Sequence, residues 1–193
     1  MDKEYFIRLE KSIREMKNAL LGNSDENGIA TNSECAELRK LLYYSKEDIK
    51  GDLSSLKDVT RAAVEDNVIL TLVTRVETTP PFNKRNYITI TCSNGQIGDN
   101  SNGYAIKVIV MSEKNDWVIN NSTIRPLRIM QIISNLLDNK QFACSGELLF
   151  ERFSELITND DVTGYAMFFS FSDGTGDQHA QYIRDHTVEQ QSN

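Results

Sequence analysis

The residues with the greatest chemical capacity lie near the C-terminal end, in Asp173-Gly-Thr-Gly-Asp177-Gln-His179-Ala-Gln-Tyr-Ile-Arg-Asp185-His186, which holds both histidines of the chain. Carboxylate and imidazole together suit a divalent ion, and an ion held with an open position activates water for hydrolysis. Asp173, Asp177, His179 and His186 are therefore the candidate metal ligands, and they define a metal-dependent hydrolase as the enzymatic alternative. The stretch lacks the alternating carboxylates and closing glutamate of a calcium loop. A polar turn running into a solvated tail accounts for the same residues more simply. No cofactor is expected, and a non-enzymatic role is preferred.

Three cysteines, Cys35, Cys92 and Cys144, stand far apart with no C-x-x-C among them. That pattern argues against a disulfide framework and a thiolate zinc site. Cys144 precedes an expected helix start, where a thiolate is favoured, but no base can be named beside it. The glycines of Asn94-Gly95-Gln96-Ile97-Gly98-Asp99 fit neither a dinucleotide-binding nor a phosphate-loop pattern. Trp117, the single tryptophan, is a candidate anchor for a protein partner, because tryptophan is enriched among interface hot spots. Lys84, Arg85, Arg125 and Arg128 form a candidate basic patch, too small for a nucleic-acid duplex and better suited to an acidic protein.

Composition narrows the classes further. With 39% hydrophobic and 25% charged residues the chain reads as an ordinary globular protein. Its net charge of -7 disfavours nucleic-acid binding, which requires clustered cations. No apolar stretch has the length of a membrane span, and charges interrupt the N-terminus where a signal peptide would be continuous. A cytoplasmic location follows as the expectation.

The elements that must position these residues begin with a helix over about residues 2–21. Phe6, Leu9, Ile13, Met16 and Leu20 recur at spacings of three and four, which sets them on one seam. That seam serves either packing within the monomer or a coiled coil between chains, and its residues are candidate partner contacts. Thr31-x-x-Glu34 has the form of a capping box for a second helix reaching about Tyr44, and a third is expected over about 46–66. Strands are expected over 68–76, 87–92, 104–111 and 165–171, with a weaker one over 178–184. The run Ser93–Gly103 reads as a surface loop too long for a tight hairpin. Ser122 and Thr123 offer a hydroxyl cap before Pro126 for a further helix, and another helix is expected from Ser145 to Ile157.

The resulting fold class is α+β: N-terminal amphipathic helices, then a mostly antiparallel sheet of four or five strands packed with two helices. Residues 1–66 form the helical segment, 67–186 the α+β body and 187–193 a disordered tail. The functional expectation is an intracellular interaction or adaptor protein, docking or forming a homo-oligomer through its N-terminal helices and binding a protein partner with its body. An acidic chaperone or effector-type protein is the remaining alternative.

Overall fold

The computed structural model describes residues 3–49, 52–65, 69–71, 86–98, 101–119, 123–143, 146–157 and 162–171. The chain is α+β, as expected. One continuous cluster of buried side chains runs from Leu9 near the N-terminus to Phe171.

Helix α1 (Lys3–Leu21) follows the periodic seam closely. Its solvent face is supported by the pairs Glu10–Arg14, 2.9 Å, and Lys11–Glu15, 3.8 Å, each one turn apart. It ends at Gly22, where φ is +69° and an added Cβ would lie 2.7 Å from Cys35 Sγ. Both the left-handed conformation and the close approach require glycine there. Helix α2 (Ser33–Tyr43) is capped one residue later than expected. Asn32 Oδ1, rather than the Thr31 hydroxyl, accepts from the N–H groups of Glu34 (2.8 Å) and Cys35 (3.1 Å).

The expected third helix does not form. Ser45 and Asp48 close a local turn, in which the Asp48 carboxylate accepts from both the Ser45 N–H (2.9 Å) and the Ser45 hydroxyl (2.7 Å). Beyond it the described residues up to 65 form only a 3-10 turn (Leu53–Ser55) and the short helix α3 (Arg61–Glu65). The reason is tertiary, because side chains of α2 and of Tyr44 at its C-cap take carbonyls that a helix would use itself. Lys40 Nζ donates to Leu56 O at 2.8 Å, Tyr44 Oη to Lys57 O at 3.1 Å and Arg39 Nη1 to Val59 O at 3.3 Å. Such side-chain bonds satisfy irregular backbone and override the modest helix propensity of the segment.

Among the described residues the main sheet has six strands: β1 (Ile69–Thr71), β2 (Asn86–Gly98), β3 (Ser101–Glu113), β6 (Lys140–Gln141), β7 (Glu147–Ile157) and β8 (Val162–Phe171). They lie in the order β1-β2-β3-β8-β7-β6, and only β1 runs parallel to its neighbour. A separate two-stranded ribbon joins β4 (Val118–Ile119) to β5 (Thr123–Ile124). The expected loop over 93–103 is instead an extension of the β2–β3 hairpin. Pairing continues to Gly98↔Ser101 after a register shift between Ser93 and Gln96, so only two residues separate the strand ends.

The expected helix from Ser145 is strand β7. Its apolar residues Leu148, Phe150, Phe153 and Ile157 share one face, but an irregularity between Phe150 and Arg152 advances the alternation by a residue. A bulge of this kind makes a period of two resemble helical spacing. Helix α4 (Arg125–Leu137) has Pro126 in its first turn as expected, but its cap position is Ile124, with no side-chain cap. Thr123 pairs with Ile119 instead. The layer over the sheet is therefore α4 with α1 and α2, not a pair of C-terminal helices. At the sheet centre the β3 and β8 backbones run so close that a Cβ on Gly164 would lie 1.8 Å from Val110 O. No helix among the described residues is long and apolar enough to cross a membrane.

Candidate functional site

The open end of the sheet is built from β7, β8 and the segment after β3. Register places Thr163, Tyr165 and Met167 of β8 opposite Ile157, Glu155 and Phe153 of β7, so these six share a face. Trp117 follows the 3-10 turn Lys114–Asp116 and stacks beside the same face. Ring centroids lie 5.9 Å apart for Trp117 and Tyr165 and 6.0 Å for Tyr165 and Phe153, within the range of favourable aromatic pairs. The row becomes progressively more solvent-exposed toward the sheet edge: Trp117 and Tyr165 are half-buried, while Phe153 is 55% and Ile157 69% exposed. Val118 and Ile124, paired in the β4–β5 ribbon next to Trp117, add further exposed apolar surface.

Trp117 is fixed by a buried polar latch. The preceding Asp116 accepts from the Lys46 N–H at 3.0 Å and from Asn86 Nδ2 at 3.4 Å, and lies 3.9 Å from Arg125 Nη1. Arg125 Nη1 also donates to Leu41 O (3.1 Å) and Tyr44 O (2.7 Å), and the Arg125 N–H donates to Trp117 O (2.7 Å). One ion pair thus ties the end of α2, the start of α4 and the β3 exit together. A buried pair of this kind is costly to break from one side, because the remaining charge is stranded.

The outer edge of β7 is paired only at its beginning. Strand β6 meets it at Leu148 and Glu147, and the Phe150 N–H donates to Asp138 Oδ1 at 2.8 Å. Among the described residues no strand pairs with the outer side of β7 from Leu149 to Ile157. Residues 151–155 and Ile157 are exposed. On the opposite face Arg152 is held 4.7 Å over the Phe168 ring, and the Ser170 hydroxyl donates to the Glu151 carboxylate. Glu155 projects on the aromatic face between Phe153 and Ile157.

Other expected site residues fall elsewhere. Leu9, Ile13, Met16 and Leu20 are buried in the chain's own core, and of Phe6 only the helical backbone is described. Asp173, Asp177, His179 and His186 lie outside the described residues, as do Lys84, Arg85 and Cys144. No group of three or more potential metal ligands occurs among the described residues. The basic patch does not assemble from its described members. Arg125 is wholly buried, and Arg128 is held by Glu37 in a two-bond fork, both bonds 2.7 Å, which raises its pKa. Burial pushes the Cys35 thiol above its ordinary pKa, the reverse of what a nucleophile needs. Phe153, Tyr165 and Ile157 were not legible as surface residues, because their sequence signal is that of ordinary core positions. The signal that could have found them is the charged run Glu151, Arg152, Glu155 around a single phenylalanine.

The YomW family model matches residues 36–171, which is 136 of the 193 residues and runs from within α2 to the end of β8, so the chain belongs to the YomW family. None of the curated proteins matches it.

Proposed function

We propose that this YomW-family chain is a protein-interaction module that receives a protein partner on the aromatic row and open edge of β7. The observation that carries the reading is the exposure of Phe153 and Ile157, 55% and 69%, on a strand whose outer edge is paired at only two positions among the described residues. Exposed apolar side chains grouped at one place mark interaction surfaces, and unpaired strand edges accept added strands. The half-buried Trp117 and Tyr165 behind them supply rigid aromatic contact area of the kind found at binding hot spots. The N-terminal seam has a supporting part in this reading. With Leu9, Ile13, Met16 and Leu20 committed to the core, α1 holds the body rather than reaching for another chain.

A photoreactive benzoylphenylalanine at position 157 of the full chain, irradiated in extract of its native source, tests the proposal. A discrete protein adduct is expected that is lost in the Phe153→Glu variant and absent when the probe sits at Lys11 on the exposed face of α1. Equal adducts from both positions, or none from position 157, would remove the reading.

A further inference from the structure

Resting on that reading, we infer that the partner presents an extended segment of the pattern apolar-x-basic-x-apolar, which adds to the sheet along β7. The pattern follows from the order of side chains on one face. Phe153, Glu155 and Ile157 alternate along the strand, all exposed, with Tyr165 behind Glu155. An added strand lays its own alternate residues directly opposite these three. An apolar residue then meets Phe153, a lysine or arginine meets Glu155, and a second apolar residue meets Ile157. The nearest cation in sequence, Arg152, is held over Phe168 on the other face, so Glu155 has no described cation on its own face of β7. The net charge of -7 adds a long-range attraction for a basic segment.

The same order disfavours a second copy of this chain. Antiparallel self-pairing about Glu155, which sets Phe153 of each chain against Ile157 of the other, would place the two Glu155 carboxylates directly opposite each other, and like charges directly opposite destabilise a strand pair.

The test uses the full ¹⁵N-labelled chain and two peptides, acetyl-Thr-Val-Thr-Lys-Thr-Val-Thr-amide and the same sequence with glutamate at its centre. The lysine peptide is expected to shift the amide signals of Ser154 to Ile157 and to bind at least about fivefold tighter than the glutamate peptide. Raising salt should narrow that gap. The exposed Glu155 permits a charge reversal without refolding the core, and Glu155→Lys should invert the preference. Equal binding of the two peptides, or no shifts at millimolar peptide, overturns the inference. So does sedimentation showing a wild-type dimer that Phe153→Glu dissociates, since the occupant is then a second copy. If the peptides fail while the position-157 adduct forms and still depends on Phe153, the interaction reading stands and only the partner class is wrong. If both fail, the edge is not a binding surface.

Discussion

Around α2, carbonyls left open at the end of α1 and in the segments beyond it are collected by long cationic side chains; along β7 beyond Phe150, the outer backbone groups have no pairing strand among the described residues. Arg39, 1% exposed, reaches Leu21 O at 2.9 Å, Gly28 O at 2.9 Å and Val59 O at 3.3 Å, joining the end of α1, the loop after it and the entry to α3. Burial lowers its pKa from the ordinary guanidinium value. At the edge, Phe153 and Ile157 face water although they are the residues a core would take. The contrast separates two uses of the same chemistry. Carbonyls near α2 are a folding problem solved internally, whereas the outer side of β7 beyond Leu148 has no pairing strand among the described residues.

Three changes sharpen or break that contrast. Arg39→Met removes the collector and strands the buried carbonyls of Leu21 and Val59, while Gly28 O keeps the Arg61 N–H at 2.9 Å, so a loss of about 3–5 kcal/mol is expected in urea unfolding. A loss below about 1 kcal/mol would mean that water serves those carbonyls equally well and that the hub is not dry. Asn32→Ala deletes the α2 cap and should cost about 1 kcal/mol, read as a matching decrease in unfolding free energy with the urea slope unchanged. Ile157→Thr should leave stability within about 0.5 kcal/mol, because a side chain already in water loses little on truncation. It should nevertheless weaken partner capture. A large destabilisation by Ile157→Thr would show the edge to be covered, and the comparison would collapse.

The parts legible in the sequence were those governed by local periodicity. The seam from Leu9 to Leu20 follows helical spacing without interruption, and α1 lies within a residue of its expected bounds. The central strands, with β-branched residues at Ile88, Ile90, Ile106, Val108 and Val110, were equally plain. What local pattern missed was decided elsewhere in the chain. Residues 52–60 forgo a helix because Arg39, Lys40 and Tyr44 claim their carbonyls across a long sequence separation. Residues 147–157 form a strand because β8 supplies its ladder, and the shift at Phe150 disguised the alternation. That Phe153 is a surface residue depends on β7 having almost no outer neighbour among the described residues, a property of strand order that no single segment encodes. Trp117 was legible as an anchor by residue type alone; its ring partners Tyr165 and Phe153 come from strands that only the sheet brings together.

The irregularity between Phe150 and Arg152 has a consequence for how many molecules can join at this edge. A flat, regular edge strand templates indefinite stacking and can seed fibrils. Here the bulge twists the strand away from regularity, and charges at Glu151, Arg152 and Glu155 flank the lone phenylalanine. These are the devices by which natural sheets suppress runaway polymerisation. On the proposed reading the edge is therefore a terminus for one added strand, rather than the growing tip of an aggregate.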